Sequence, residues 1–153
     1  MNRSADNFDP IWVAGFMSGT ALDAVDGALI LTDGETVFEF GPVIERKYTS
    51  QERAILQDAT DTARAWNWSG PQPEAKFGAA RDVISNTHSE AFIELLELAG
   101  DRRVALAGVH GQTVLHRRPT ESSLGATLQL IDAPALTDAF GVPLAYDFRT
   151  DDV

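Results

Sequence analysis

The chain has 153 residues, of which 44% are hydrophobic and 23% are charged, and its formal net charge is −11. This length suits one domain with a sizeable core, and the composition is that of an ordinary globular protein. The absence of cysteine excludes disulfides and thiolate metal sites. The acidic balance disfavours nucleic acid and anionic membranes as partners. Because the sequence shows neither a bilayer-spanning apolar run nor a signal peptide, it predicts a cytoplasmic protein.

The first fifty residues predict three strands in succession. Apolar and β-branched residues mark strands at 11–17, 25–31 and 37–48, and Asp33-Gly34 is typical of the tight turn of a hairpin. Thr49-Ser50-Gln51-Glu52 then matches a capping box, which predicts that a helix begins here. The sequence therefore opens with an antiparallel unit that leads into a helix.

The rest of the chain alternates helices and strands, which indicates an α/β fold. A final helix is expected between Asp132, a suitable N-cap, and Gly141, a suitable stop. His88 falls on the apolar stripe of the preceding helix, which predicts a hydrogen-bonded core histidine. The other expected elements are a long helix at 74–99, a buried strand at 104–109, a hairpin with strands at 113–116 and 127–130, and a last strand at 142–146.

The richest chemistry lies in residues 15–27, Gly-Phe-Met-Ser-Gly-Thr-Ala-Leu-Asp-Ala-Val-Asp-Gly, where a turn joins the first two predicted strands. Glycine lets a ligand approach the backbone closely, and successive turn amides bind anionic oxygens. Ser18 and Thr20 add hydroxyls, and Asp23 or Asp26 suits a magnesium ion, which prefers oxygen ligands. The segment is neither a Walker A loop nor a Rossmann fingerprint. It predicts a phosphate-binding hairpin, although a Gly-Thr pair after a strand is more often a plain turn.

Two further polar groups follow predicted strands. His110 and Gln112 come where a buried strand ends, and they offer the donors and acceptors that a polyhydroxylated sugar requires. The alternative is a structural histidine at a strand end. Arg149 lies among carboxylates that include Asp152, and its planar fork suits a phosphate or a carboxylate. The alternative there is a solvated loop whose surface ion pairs contribute little.

Three blocks of sequence point to a known family. Residues 17–26, Met-Ser-Gly-Thr-Ala-Leu-Asp-Ala-Val-Asp, resemble the Met-Ser-Gly-Thr-Ser-Leu-Asp-Gly-Val-Asp signature of anhydro-N-acetylmuramic acid kinases. The segments Val-His-Gly-Gln-Thr-Val-Leu-His at 109–116 and Tyr-Asp-Phe-Arg-Thr-Asp-Asp-Val at 146–153 resemble later blocks of the family in the same order. A weaker block, Thr-Leu-Gln-Leu-Ile-Asp, stands at 127–132. The resemblance thus covers nearly the whole chain.

The sequence departs from the family pattern at three positions. Ala21 replaces a serine, which removes one hydroxyl from the turn. Ala24 replaces a glycine and is tolerated only where the backbone does not need a positive φ. Ile131 places a branched side chain where the family usually has glycine.

The resemblance implies a fold and a domain organisation. The family belongs to the actin, hexokinase and Hsp70 superfamily, so an α/β, ribonuclease H-like lobe is expected, with an antiparallel three-strand start and a mixed sheet flanked by helices. Residues 1–10 are expected to form a disordered tail and residues 11–153 the first lobe of a two-lobe sugar kinase. The family's second lobe begins with a Gly-rich stretch that is not found here, so the chain is expected to be a fragment or a truncated gene product.

The resemblance also implies a reaction, in which 1,6-anhydro-N-acetylmuramic acid, a sugar of cell-wall recycling, reacts with water and ATP to give N-acetylmuramic acid 6-phosphate and ADP. It implies ATP and Mg²⁺ as cofactors with Asp23 on the metal, a small-molecule sugar as substrate, and it allows a homodimer in the full-length form. The implied ATP-binding residues are Gly19, Thr20, Ala21, Leu22, Asp23, Ala24, Val25 and Asp26. The implied substrate-binding residues are His110, Gln112, Thr113, Arg149 and Asp152.

No residue of this chain is assigned a catalytic role, because the family's general-base aspartate lies in a block beyond Val153. The isolated chain is therefore expected to be inactive. Two alternatives remain open. One is a different sugar or acetate kinase of the same superfamily that shares only the phosphate hairpin, although the block around His110 argues against it. The other is a non-catalytic nucleotide-binding remnant, or a subunit that a second polypeptide completes.

Overall fold

The computed structural model describes residues 8–122 and 124–150. Its first strands and helices match the predicted ones closely, and the long helix has the predicted ends. The last strand is shorter than predicted and covers two residues only. In chain order the elements are β1 (Ile11–Ser18), β2 (Ala24–Thr32), β3 (Val37–Lys47), α1 (Ser50–Trp66), α2 (Glu74–Ala99), β4 (Val104–Val109), β5 (Gln112–Arg117), β6 (Ala126–Leu130), α3 (Ala133–Phe140) and β7 (Leu144–Ala145).

Five of the strands form one mixed sheet in the order β3-β2-β1-β4-β7. The pairs β1–β2 and β2–β3 are antiparallel, whereas β4 is parallel to both β1 and β7. Strands β5 and β6 pair with each other in a separate two-stranded sheet. The expected antiparallel three-strand start and mixed sheet are therefore confirmed. Of the expected tail at 1–10, residues 1–7 lie outside the described residues, and residues 8–10 have no regular structure.

Local sequence signals fix the ends of α1. The hydroxyl of Thr49 accepts from the amide of Glu52 at 3.2 Å, and the carboxylate of Glu52 accepts from the amide of Thr49 at 2.8 Å. These two bonds complete the predicted capping box and satisfy amides that the first turn leaves without partners. Asn67 is the C-cap of the helix. Its backbone has the left-handed conformation, and its amide donates to Ala63 O at 2.9 Å.

Helix α2 separates two apolar clusters. One face of the helix, with Phe92 and Leu95, packs against β1, β2, β4 and α3. Another face, with Phe77 and Ile84, packs against α1 and the β5–β6 pair. Because α2 contributes fully buried side chains to both clusters, it joins the five-stranded sheet to the smaller one.

The opposite face of the five-stranded sheet is not covered by any described helix. Met17 is 50% exposed and Val43 is 72% exposed on this face. They border a hollow of about 750 Å³, which Gly15, Gly108 and Phe148 also line. Among the residues that the structure describes, none of the helices combines the length and the apolar character of a membrane span.

Arg46 links β3 to α1 and α2 through ion pairs. Its guanidinium binds the Glu52 carboxylate of α1 through two bonds of 2.5 and 2.8 Å, and it binds Glu90 of α2 at 2.5 Å. The Arg46 side chain is 15% exposed, so solvent screens the pair less than an ordinary surface pair. The hydrogen bonds from Arg46 lower the pKa of Glu52 to about 2.

We expect Glu52→Gln to lower the free energy of unfolding at pH 7 by about 1 to 2 kcal/mol, after allowance for partial solvent exposure. The folded pKa of Glu52, about 2, lies below its ordinary value of 4.5. The stabilisation is therefore full above about pH 4.5 and is lost as the pH falls towards 2. Urea unfolding followed by circular dichroism at several pH values measures this difference.

Glu45→Gln is the matched control, since the Glu45 carboxylate is more than half exposed and its ion pair is with the exposed Lys47, at 3.7 Å. It should change the free energy of unfolding little at any pH. A destabilisation by Glu52→Gln that stays constant from pH 7 to pH 2 would contradict the role given to the Arg46 pair.

Candidate functional site

The turn between β1 and β2, residues 19–23, is strained and anchored. The amide of Leu22 donates to Gly19 O at 3.2 Å, and Leu22 has a φ of 53°. A left-handed conformation costs a residue with a side chain about 1 kcal/mol or more. Leu22 is only 3% exposed and packs in the cluster of Leu56 and Phe77. Its burial offsets the strain and holds the turn in one conformation.

The carbonyl oxygens of this turn are bound by the rest of the protein. Gly19 O also accepts from Gln112 Nε2 at 3.3 Å, Ala21 O accepts from Arg53 Nη2 at 3.3 Å, and Asp23 O accepts from the amide of Tyr48 at 2.9 Å. Thr20, Ala21 and Asp23 are all exposed. Their amides donate to no other described residue. These three amides therefore have no acceptor among the described residues, and unpaired amides close together in a turn are the donors from which anion-binding sites are built.

The two aspartates of the motif lie in different places. The exposed Asp23 is in the turn, where its Oδ1 accepts from the amide of Ala24 at 3.0 Å. Asp26 lies within β2 opposite Met17 and lines the hollow on the open face of the sheet. Ala24 and Val25 are buried between them. Of the implied ATP-binding residues, only those up to Asp23 thus belong to the exposed turn.

The turn fits a magnesium ion that is held mainly by a ligand. No three His, Asp or Glu side chains among the described residues cluster as a ready-made metal site. Mg²⁺ commonly binds one or two carboxylates together with substrate phosphates and water. The exposed carboxylate of Asp23, in the same turn as the three amides, could supply the protein share of such a set.

The second polar block lies at the end of β4. Strands β1 and β4 are parallel and pair up to Phe16 and Val109, so Gly19 and His110 follow at the same edge of the sheet. Gln112 is fully buried, and its bond to Gly19 O connects this block to the turn. The structure therefore places the β1–β2 turn next to the block that contains His110 and Gln112.

His110 lies near Phe148 and within electrostatic range of Arg149. The His110 ring meets the ring of Phe148 edge-on, with centroids 6.4 Å apart. Burial lowers the pKa of His110, and the charge of Arg149 lowers it further. Arg149 is half-buried. Asp152, the remaining predicted contact, lies outside the described residues.

Comparison with known proteins shows the family of the chain. A sequence model of the family described as "Anhydro-N-acetylmuramic acid kinase" matches residues 11–153. The chain belongs to this family.

Three relatives carry that same name. The Caulobacter vibrioides protein is 46% identical over 143 residues, which are 92% of this chain and 38% of the relative. The Rhizobium rhizogenes protein is 43% identical over 148 residues, or 95% of this chain and 40% of the relative. The Brucella anthropi protein is 42% identical over 147 residues, or 94% and 39%. The chain thus spans about two fifths of the length of the curated relatives that it matches.

The departures from the family pattern have simple structural outcomes. Ala24 is 3% exposed and does not have a positive φ, so an alanine fits there without strain. Ala21 is exposed in the turn. Ile131 is half-buried and packs against the cluster between α2 and the sheet. A Cβ on Gly111 would stand 3.0 Å from the Cβ of Ile131, so this side chain fills the space beside the β4–β5 loop.

A smaller cavity of about 290 Å³ joins the turn to β5. Thr20 lines it from the turn and Thr113 from β5. The hydroxyl of Thr113 accepts from Gln129 Nε2 at 3.2 Å. Thr60 and Arg64, which were not predicted to lie near a site, line the cavity from α1. Because residues four apart lie on the same face of a helix, the spacing of these two residues in the predicted helix indicated that they share a face.

We expect Gly111→Ala to lower the free energy of unfolding by about 2 kcal/mol or more, because alanine is strained at positive φ. Gly111 has a φ of +74°, and an added Cβ would lie 2.6 Å from Leu130 O. Gly19→Ala is the matched control, since a Cβ there would meet only Ala21 N at 3.9 Å. Urea unfolding of both variants checks this difference. Equal stability of the two variants would show that the β4–β5 loop adapts freely.

Proposed function

We propose that this chain is the first lobe, residues 11–153, of a two-lobe kinase of 1,6-anhydro-N-acetylmuramic acid. The whole enzyme opens the anhydro bridge with water and transfers a phosphoryl group from ATP, which gives N-acetylmuramic acid 6-phosphate and ADP. Because the reaction consumes ATP, the proposal includes a cytoplasmic location. The names of the relatives support the substrate, and the site supports the use of a phosphate donor.

The observation that carries the proposal is the β1–β2 turn. Its carbonyls accept hydrogen bonds from the rest of the protein, and the amides of the exposed residues Thr20, Ala21 and Asp23 donate to no other described residue. Such donors bind phosphate oxygens without lysine. This suits a chain with net charge −11, because an acidic protein has no basic field to attract a nucleotide.

Gly19 adds independent support for a ligand at this turn. Its backbone does not have a positive φ, and an added Cβ would meet only Ala21 N at 3.9 Å. The fold therefore has room for a side chain at this position. A glycine that the fold itself does not require is explained by a ligand that approaches the backbone closely.

The proposal assigns the two polar blocks to the two reactants. Gly19 to Asp26 serve the nucleotide, with Asp23 on Mg²⁺, which neutralises charge on the phosphates when bound. The sugar side is assigned to residues at and near the end of β4 and the end of the chain, His110, Gln112, Thr113, Arg149 and Asp152. Arg149 suits the carboxylate of the sugar, since a guanidinium binds a carboxylate through two parallel bonds. Gln112 contributes indirectly: its side chain is fully buried, and its amide donates a hydrogen bond to Gly19 O and so holds the turn in position.

The remainder of the enzyme supplies the general base that deprotonates the water, the adenosine pocket and the opposing wall of the cleft. About three fifths of each compared relative has no counterpart in this chain. A chimaera in which this chain replaces the matching segment of the Caulobacter vibrioides relative provides a complete enzyme for testing. A chimaera that folds but lacks kinase activity would contradict the proposal.

In this chimaera we expect Asp23→Asn to lower kcat/KM for Mg·ATP by at least about tenfold, because the substitution removes a ligand charge with little change in volume. A coupled ADP-release assay at several Mg²⁺ concentrations measures the effect. The reduction in kcat/KM should become smaller as the Mg²⁺ concentration is raised, because the metal then binds through the phosphates even though the protein site is weaker.

Asp33→Asn is the matched control for this experiment. Asp33 also accepts amide bonds within a hairpin turn, from Glu35 and Thr36, but at the opposite end of β2. It should leave the kinetics of Mg·ATP unchanged. Equal effects of the two substitutions, or no effect of Asp23→Asn, would show that Asp23 is not a ligand of the metal.

The isolated chain should show no kinase activity, because phosphoryl transfer depends on positioning between two lobes. Loss of a general base alone costs about a hundredfold to ten-thousandfold in rate. Loss of the opposing lobe forfeits up to roughly 7 to 11 kcal/mol of proximity effect. The purified chain is incubated with Mg·ATP and the anhydro sugar, and the 6-phosphate is sought by mass spectrometry. Product that disappears with Asp23→Asn would show that the chain is catalytically complete.

A further inference from the structure

Arg53 is a charged residue that contacts the β1–β2 turn from helix α1. It lies near the start of the helix and is exposed. Its Nη2 donates to Ala21 O at 3.3 Å. Because Ala21 lies in the same turn as Thr20 and Asp23, this bond places a guanidinium beside the turn whose amides have no acceptor among the described residues.

The start of α1 is attached to the turn at a second point. The amide of Tyr48, which precedes the helix cap Thr49, donates to Asp23 O at 2.9 Å. The amide of Arg53 donates to Thr49 O at 3.0 Å. These bonds fix the backbone of Arg53 relative to the turn, so its side chain reaches Ala21 O from a backbone that the helix holds in place.

No described carboxylate neutralises Arg53. The chain has 23 acidic residues and 12 lysines and arginines. Arginines that do pair with carboxylates are Arg46, Arg64, Arg81 and Arg102. Arg53 forms no ion pair in the part of the chain that the structure describes. Its positive charge is therefore available to a ligand of the turn.

Asp23, the acidic residue of the same turn, does not pair with Arg53 either. Its Oδ1 accepts from the amide of Ala24 at 3.0 Å. A carboxylate and a guanidinium that lie at one turn without pairing suit a ligand that carries both signs of charge. A nucleotide phosphate with Mg²⁺ is such a ligand, since the metal binds carboxylates and the phosphate binds arginine.

We propose that Arg53 is a further phosphate-binding residue of the site. Nη2 stays on Ala21 O, and the other N–H groups of the guanidinium donate to an oxygen of the nucleotide phosphates that the turn amides bind. A guanidinium has five N–H donors, of which the bond to Ala21 O uses one. The inference rests on the proposed function, because it takes the β1–β2 turn as the phosphate site. It adds a full positive charge, which backbone amides do not supply.

In the chimaera we expect Arg53→Gln to raise KM for Mg·ATP by about tenfold at low ionic strength, because it removes a charged hydrogen bond to the phosphates. Arg53→Lys keeps the charge without the planar fork and should recover most of this loss. KM for the sugar should stay within about twofold of the parent. Urea unfolding confirms that each variant is folded.

Ionic strength separates this role from a structural one. Salt screens a contact between an exposed guanidinium and a phosphate, because the Debye length falls from about 30 Å at about 0.01 M to about 3 Å at about 1 M. The effect of Arg53→Gln on KM should therefore become smaller as sodium chloride is added. An effect that is the same at every salt concentration would show that Arg53 only holds Ala21 O in place, and would overturn the inference.

Arg103→Gln is the matched control, since it makes the same change in net charge. Arg103 is exposed and directly precedes β4, whereas the turn follows the end of β1. Because β1 and β4 are parallel neighbours, Arg103 lies at the opposite edge of the sheet. Its replacement should leave KM for Mg·ATP unchanged at every salt concentration. Equal effects of the two substitutions would assign the change to the net charge of the chain, which would also overturn the inference.

A binding measurement on the chain itself does not depend on catalysis. Inorganic tripolyphosphate with Mg²⁺ is titrated into the ¹⁵N-labelled chain, and nuclear magnetic resonance follows the Nε–H signal of Arg53 and the backbone amide signals of Thr20, Ala21 and Asp23. We expect all of these signals to shift with one midpoint. Amide signals that shift while the Arg53 signal does not would overturn the inference and leave the proposed function intact. If none of them shifts, the proposed function and this inference both fail.

Discussion

The carbonyl oxygen of Gly19 accepts from the Leu22 amide at 3.2 Å and from the Gln112 side chain at 3.3 Å. This shared acceptor joins the β1–β2 turn to the first residue of β5. The buried side chain of Leu22 anchors the same turn to the cluster between α1 and α2. Because hydrogen bonds from the rest of the protein hold the carbonyls of the turn, its amides have fixed positions before a ligand arrives. Such preorganisation lowers the ordering cost of binding.

The two candidate binding regions follow from strand direction. Strands β1 and β4 are parallel neighbours, so the turn and the block at His110 leave the sheet at one edge. This edge is where open α/β sheets commonly bind ligands. Helix α2 runs beneath it and supplies buried residues to both apolar clusters. The nucleotide and sugar regions proposed above thus share one rigid support, which suits a reaction that depends on positioning.

Features that depend on neighbours in sequence were predictable. The capping box at Thr49 and the stop at Gly141 define helix ends through contacts within a few residues. Gln112 was predicted as a ligand contact, and its bond to Gly19 O, across 93 positions of the chain, could not be inferred from local pattern. The positive φ of Leu22 was equally hidden, because leucine adopts it only when burial elsewhere offsets the strain. His88 is a core residue as predicted, but its Nε2 has no hydrogen-bond partner among the described residues, which again depends on tertiary packing.

The central claim is that the β1–β2 turn binds the phosphates of the nucleotide. A crystal structure of the chimaera with Mg·ADP and the anhydro sugar tests it most directly. The account predicts phosphate oxygens within hydrogen-bond distance of the amides of Thr20, Ala21 and Asp23, and the sugar beside His110 and Arg149. Phosphates bound beyond hydrogen-bond distance of all three amides would contradict it.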